Sequence, residues 1–360
     1  MPAVSVVIPL YNKGPYIARA LNSVLTQTFQ DFEVIVVDDG STDDGAEIVR
    51  EFTDPRIKLI QQENQGVSAA RNRGIEASLA DLIAFLDADD EWLPRFLETT
   101  SRLKDRFPSA GAYATAVNTS YKGIIKRSRY RSVPSPNWEG LITDYFRSAV
   151  FGDSILLSSS VAIPRDILLE MSGFIIGEKW GEDLDLWGRI ALKYSIGFST
   201  SYCSIIHVTS ENLEKIRGRA TATRENPFIK SAGTIIESEQ STFTDRCYLM
   251  LYLDKIIMES ALYNVIIGEK HYSKEILSKC MSNTFVLTRV FLNTWYMISG
   301  CITNRDNKIF EKSPLIILLY LLPFEARMLA SIMEFKRSLR NKSLKRFLDG
   351  VTHSLRSRSL

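Results

Sequence analysis

Val4 to Ile8 (Val-Ser-Val-Val-Ile) is a largely β-branched, mostly apolar run that stops at Pro9, as expected of a strand covered on both faces. Gly14-Pro15 then opens a helical stretch whose apolar positions Ile17, Ala20, Leu21, Val24 and Leu25 share one face. The same alternation continues along the chain. Phe32 to Val37 reads as a strand, followed after Asp38-Asp39-Gly40-Ser41-Thr42 by a helix to Phe52. Ile57 to Ile60 is a short strand, Val67 to Ala77 a helix, Leu82 to Leu86 a strand and Pro94 to Arg106 a helix. Strands alternating with helices predict a parallel α/β sheet.

The next section is less regular. Strands are expected at Ala112 to Asn118, Ser159 to Ile163 and Ile196 to Ile206. Glu182 to Tyr194 reads as a helix with Leu184, Leu186, Trp187, Ile190 and Ala191 toward the sheet. Tyr121 to Trp138, rich in Lys, Arg, Ser and Pro, is long enough to predict a mobile functional loop. From about Leu213 strand signals fade, and amphipathic patterns at Cys247 to Ile267, Lys274 to Ile298 and Leu315 to Leu348 predict a helical region. The expected domains are therefore residues 1–212, α/β, and residues 213–360, helical.

Composition narrows the class. With 360 residues, 45% of them hydrophobic, the chain can bury a large core, which argues against disorder. Cys203, Cys247, Cys280 and Cys301 show no CxxC spacing, so zinc and redox chemistry are not expected. Met1-Pro2-Ala3-Val4 enters a strand without a basic and then apolar leader, which predicts a cytoplasmic protein. The net charge of +2 hides an asymmetry: from Arg327 to Leu360 nine Lys/Arg face two acids. This basic tail (327–360) follows an apolar segment (315–324) that is about half the roughly 20 residues a membrane-spanning helix needs. An interfacial segment on an anionic membrane and a core helix with a solvated tail are the two readings. No specific nucleic-acid partner is expected, and the amphipathic helices offer faces for an oligomer.

Three strand ends carry the polar residues. In a parallel sheet the ends Pro9-Leu10-Tyr11-Asn12, Asp38-Asp39-Gly40-Ser41 and Asp87-Ala88-Asp89 open onto one crevice. Asn64-Gln65-Gly66 adds a helix start that presents backbone N–H groups to an anion, with Arg71 one turn on. Two carboxylates one residue apart at a buried strand's end suit a hard divalent cation shared with phosphates.

These stretches, in this order, resemble family 2 glycosyltransferases of GT-A fold: Val-Ser-Val-Val-Ile-Pro-Leu-Tyr-Asn from Val4, Val-Ile-Val-Val-Asp-Asp-Gly-Ser-Thr-Asp from Val34, Asn-Gln-Gly-Val-Ser-Ala-Ala-Arg-Asn-Arg-Gly from Asn64, Phe-Leu-Asp-Ala-Asp-Asp from Phe85, and Gly-Glu-Asp-Leu-Asp-Leu-Trp from Gly181. The resemblance implies a Rossmann-like, mostly parallel central sheet flanked by helices, with a donor half at about 1–110 and an acceptor half at about 111–212. It implies an inverting, metal-dependent transferase that moves a sugar from a nucleotide-diphosphate sugar, a UDP-sugar by expectation, to a glycan or lipid-linked hydroxyl in bacterial surface polysaccharide synthesis. Pro9, Tyr11 and Asn12 would border base and ribose, with Asp39 accepting from the base and Arg71 pairing with base or diphosphate. Asp87 and Asp89 would hold Mg²⁺ or Mn²⁺, with His207 a candidate third ligand or a structural histidine. Asp183 would be the general base, supported by Glu182, with Asp185 the competitor. Asp38 serves either the donor or its own turn, since Asp before Gly-Ser is a common cap.

Other classes leave different marks. A Rossmann dehydrogenase would show GxGxxG after the first strand, where this chain has Pro-Leu-Tyr-Asn-Lys-Gly from Pro9 to Gly14. A sugar nucleotidyltransferase would carry a Gly-rich, Arg-containing loop there. A noncatalytic nucleotide-sugar or carbohydrate-binding protein would be expected to lose the acidic pair at Glu182-Asp183. Lys122, Lys126, Arg127, Arg129 and Arg131 are read either as a loop that engages donor or anionic acceptor, or as a solvated surface.

Overall fold

β1 (Val4–Leu10) lies between β2 (Phe32–Asp38) and β4 (Leu82–Phe85), parallel to both, and β3 (Ile57–Gln61) pairs parallel with β2 at the sheet's edge. The computed structural model describes residues 1–130, 133–134, 137–178, 180–208, 226–236, 243–266 and 270–278. Burial on both faces explains why β1 is apolar but for Ser5, whose Oγ is satisfied by donating to Glu33 Oε1 at 2.7 Å. Val4, Val6, Ile8 and Leu10 pack with Ile17, Leu21 and Val24 of α1 (Gly14–Leu25) and with Phe96 and Leu103 of α4 (Phe96–Arg106). Val7 faces the opposite layer, with Ile75 of α3 (Val67–Ala77). A strand buried on both faces cannot alternate with polar residues. α3 rides close to the sheet at Gly74, where a Cβ would stand 2.3 Å from Val7 Cγ1. α2 (Gly45–Glu51) completes this half.

The second half mixes strand directions. β9 (Val161–Pro164) runs antiparallel to both β4 and β6 (Ala112–Tyr121), so β6 points the same way as β1, β2 and β4. β10 (Ile196–Val208) joins β6 in parallel. The sheet order is β3-β2-β1-β4-β9-β6-β10-β5, with β5 (Glu91–Trp92) and β8 (Glu139–Ile142) antiparallel on β10. The donor-side strands are thus parallel as expected, and the sheet as a whole is mixed.

Part of the expected Tyr121 to Trp138 loop is strand. β7 (Ile124–Arg127) folds back on β6 through Lys122 (φ +49°) and Gly123 (φ +79°), two left-handed residues that make the tight turn of a hairpin. α5 (Tyr145–Phe151) and α6 (Arg165–Glu170) are additional short helices. α7 (Glu182–Lys193) begins where the acidic pair predicts it and buries Leu186, Trp187 and Ile190. α8 (Phe228–Ile236) and α9 (Phe243–Ile266) place Phe228, Tyr252 and Leu253 in the same core as Trp187, and α10 (Lys270–Ser278) follows. Cys203 is buried as a free thiol. The expected helix at Lys274 to Ile298 is described only as far as Ser278, and the rest of it, the expected helix at 315–348, the apolar segment 315–324, the basic tail 327–360, Cys280 and Cys301 lie outside the described residues. Among the described residues no helix is long and apolar enough to cross a membrane.

Candidate active site

The parallel strands β1, β2 and β4 deliver their C-terminal ends to one edge. Leu10 pairs with Asp38 across β1 and β2, and Val7 with Phe85 across β1 and β4. The first two ends are tied together by side chains. Asn12, left-handed at φ +49°, accepts from the Thr42 backbone N–H at 2.8 Å through Oδ1, and its own N–H donates to Ser41 Oγ at 3.0 Å. Asp38 is buried in its own turn: Oδ1 accepts from Ser41 N–H and Oδ2 from Gln61 Nε2. That is the capping geometry. Gly40, at φ +74°, brings this turn against the next loop, where a Cβ would meet the Asn64 backbone N at 2.9 Å.

Asp39 builds the entrance to α3. Its Oδ1 accepts from Gln65 N–H (2.9 Å) and Gln62 Nε2 (2.7 Å), and its Oδ2 from Gly66 N–H (2.8 Å). A carboxylate offers about four lone-pair positions, so one acceptor direction on Oδ2 is left after these three bonds. Tyr11, Asn64 and Gly66 are exposed around it. The loop ends thus form a polar rim of Tyr11, Asn12, Asp39, Asn64 and Gly66, with Pro9 beneath it.

Asp87, Ala88, Asp89 and Asp90 occupy the third strand end. Lys13 pairs with Asp89, and Arg19 donates to the Asp89 carbonyl. Asp90 is buried, accepting from Ser159 Oγ at 2.5 Å and from the His207 N–H at 2.8 Å. Burial first, then the neighbouring Asp89 and Asp87 carboxylates, push Asp90 well above the usual carboxylate range. Three carboxylates, Asp87, Asp89 and Asp90, thus crowd one turn, with Arg71 paired to the first and Lys13 to the second. Carboxylate oxygens in surplus at a partly open strand end fit a hard divalent cation. Among the described residues no group of three or more His, Cys, Asp or Glu suited to a metal occurs, so Asp87 and Asp89 by themselves do not make a closed protein shell. His207 is not brought into this set: its Nε2 lies 2.9 Å from Glu91 Oε1, because β10 and β5 pair there.

Arg71 joins the two halves. Its side chain is 4% exposed, Nη2 bonds Asp87 Oδ1 at 2.8 Å and Nη1 bonds Glu182 Oε1 at 3.0 Å. Its guanidinium stands 5.1 Å above the Phe174 ring, and its Nε is buried without a hydrogen-bond partner. Although burial opposes the charge, Asp87 and Glu182 hold Arg71 firmly protonated. The guanidinium expected at the donor is committed to protein carboxylates, an ion bridge from the third strand end to α7.

Asp183 follows Glu182 at the start of α7. Its Oδ1 accepts from the Leu184 N–H at 2.7 Å, and Ser158 Oγ lies 3.5 Å from its Oδ2. Burial and the Glu182 charge, partly offset by Arg71, raise its pKa to about 6. Asp185 is distinguished by geometry. It is fully buried and bound by Arg189 Nε at 2.7 Å and Ser231 Oγ at 2.5 Å, which assigns it to packing. Arg189 also donates to the carbonyls of Met171 and Gly173.

Two supports escape sequence reasoning. Asn72 clamps Phe174 through both backbone groups, Nδ2 to O at 2.8 Å and N–H to Oδ1 at 2.9 Å, which seats the ring under Arg71 and edge-on to Phe85 and Trp187. Ser159 links Asp87 N–H, Asp90 and the Trp92 indole N–H, which bonds its carbonyl. The sequence offered only Asn72, set between Arg71 and Arg73, and the Ser158-Ser159-Ser160 triplet, neither of which names its partner.

Comparison with known proteins finds glycosyltransferases among both sequence relatives and structural neighbours. The model of glycosyl transferase family 2 matches residues 5–168. An uncharacterized glycosyltransferase of Rickettsia felis is 34% identical over 199 residues, 54% of this chain and 31% of the relative. The chain thus spans about a third of the length of the curated relatives it matches first. Two solved structures share the fold. TarS residues 1–349 of S. aureus in complex with UDP-GlcNAc has a TM-score of 0.51 at 18% identity, covering 82% of this chain and 92% of that one. A mannosyltransferase from Pyrobaculum calidifontis in complex with GDP-Man and Mn²⁺ has a TM-score of 0.51 at 18% identity, covering 87% and 88%.

Proposed function

Because the chain belongs to glycosyl transferase family 2, with the GT-A fold, we propose that it transfers a sugar from a nucleotide-diphosphate sugar to a hydroxyl, with inversion at the anomeric carbon. The observation that carries this reading is the Asp87–Arg71–Glu182 bridge. It fixes the start of α7, and so Asp183, beside the strand end that suits a diphosphate.

The division of labour follows from the residues. Tyr11, Asn12 and Asp39 line the rim for base and ribose, with the free Oδ2 direction of Asp39 as an acceptor. Asp89 with Asp87 would hold Mg²⁺ or Mn²⁺, which when bound supplies charge neutralisation for the departing diphosphate. Asp183 accepts the proton of the attacking hydroxyl, and a carboxylate whose pKa is near 6 is a better base than an ordinary one while still ionised at neutral pH. Glu182 stays pinned by Arg71 and keeps that pKa raised. TarS holds UDP-GlcNAc and the archaeal enzyme GDP-Man on the same fold. We take a UDP-sugar as donor and a glycan or lipid-linked hydroxyl as acceptor, in bacterial surface polysaccharide assembly, in keeping with bacterial relatives such as that of Rickettsia felis.

The test is nucleotide release from a panel of UDP- and GDP-sugars with Mg²⁺ or Mn²⁺, followed from about pH 5 to about pH 8. The base must be ionised and its pKa is raised, so turnover is expected to fall about tenfold per pH unit below about pH 6. A chelator should stop release. No release from any donor would overturn the transfer reading, and a profile flat through pH 5 would remove Asp183 from the chemistry.

A further inference from the structure

The hairpin of β6 and β7 carries an exposed surface to which the proposed function gives no role. Tyr121 pairs with Ile124 and Ser120 with Ile125, so the two isoleucines follow the turn directly. Successive strand residues point to opposite faces. Ile124 and Ile125 therefore put one branched apolar side chain on each side of the tip, 71% and 59% exposed. Isolated exposed apolar residues are ordinary, but an adjacent pair at the tip of an edge strand invites association unless a partner covers it.

The charge around the tip identifies that partner. Residues 121–130 contain no Asp or Glu, whereas Lys122, Lys126, Arg127 and Arg129 are all exposed. Arg127 stacks over the Tyr202 ring at 5.0 Å, which keeps its charge at the root of the hairpin. An apolar tip above a collar of four cations matches the boundary of an anionic bilayer, with acyl chains below and phosphate headgroups around.

Its position follows from the topology. β6 points the same way as β4, so the hairpin leaves the sheet at the edge that carries Asp87 to Asp90. His207, whose N–H binds Asp90, pairs with Ser120, and Ser120 pairs with Ile125. Two strand spacings, roughly 10 Å, thus separate the His207 rung from Ile125.

We propose that the β6–β7 hairpin is a docking tip for an anionic lipid membrane, seating the mouth of the crevice at the bilayer surface. Presentation of a lipid-linked acceptor there rests on the transfer reading, whereas the docking does not.

The test uses the full chain and vesicles of phosphatidylcholine with or without phosphatidylglycerol, without donor. The protein is expected to sediment with the anionic vesicles and not with the neutral ones. The I124S/I125S variant should bind roughly tenfold more weakly at an unchanged thermal midpoint. K122E should weaken binding most at low salt, where a surface cation acts furthest. A tryptophan placed as I124W should be quenched by brominated acyl chains beyond the wild-type level. Wild-type protein that ignores anionic vesicles, I124S/I125S that binds like wild type, or a collar that captures RNA with the isoleucines irrelevant would each overturn the proposal. Failure of the sugar-transfer reading would leave the vesicle result standing.

Discussion

Asp183→Asn is expected to bind nucleotide sugar as wild type does and to turn it over about a hundredfold to ten-thousandfold more slowly, the range that general bases contribute. The substitution is nearly isosteric. An asparagine oxygen still accepts from the Leu184 N–H, so the first turn of α7 keeps that bond. Stability has a definite sign. Folding raises the Asp183 pKa to about 6, so the stability linked to this group is full below its unfolded value near 3.8 and is lost as pH rises through about 6. At neutral pH the wild type carries an ionised, buried carboxylate beside Glu182, and the amide does not. The thermal midpoint of Asp183→Asn above pH 6 should therefore be at least that of wild type, while the rate collapses. Donor titration, single-turnover nucleotide release and thermal melting separate these outcomes. A slow variant with a lowered midpoint and lost donor binding would make Asp183 a structural residue.

Arg71→Met should damage both fold and chemistry. The guanidinium is 4% exposed and neutralises Asp87 on one side and Glu182 on the other. Removing it leaves two carboxylates without their shared cation, and breaking a buried pair in this way costs about 3–5 kcal/mol. The expected result is a lower denaturant midpoint together with loss of transfer. Arg71→Lys should recover only part of the loss, because one compact ammonium cannot reproduce a planar fork that reaches two carboxylates while stacked on Phe174. There is also a signature that simple unfolding does not produce. Arg71 lowers the Asp183 pKa against burial and Glu182, so in the Lys variant, with its cation less well placed, the acid limb of residual activity should move above pH 6. A midpoint equal to wild type in Arg71→Met would contradict the bridge as the link between the two halves.

The residues that reveal the fold and those that hide it differ in how local their causes are. β1, β2 and α1 are legible because a continuous β-branched run and a one-faced apolar helix each declare themselves within a few residues. β5 is two residues long and exists only because Ser204 and Ile205 of β10 offer it a partner. β7 was hidden by its polar, basic composition, although the Lys122-Gly123 turn was a readable sign. At the site, the strand-end polar residues were legible as a group, yet their individual roles depend on tertiary neighbours. Asp183 and Asp185 stand about 200° apart on α7, and that arithmetic says only that they face different ways. Arg189 and Ser231, 4 and 46 residues further on, are what bury Asp185 and leave Asp183 the candidate base. Arg71 reads as an anion-binding helix residue until Glu182, 111 residues away, claims it. Asn72 and Phe174 are likewise joined across 102 residues and had no local signal of partnership.

The central claim is direct displacement by a hydroxyl whose proton goes to Asp183, on the face opposite the departing nucleotide. Its most direct test is the anomeric configuration of the glycoside formed from an α-configured nucleotide sugar, read from the anomeric proton coupling by NMR. A β-configured product is predicted. An α-configured product would contradict single displacement and, with it, the role given to Asp183.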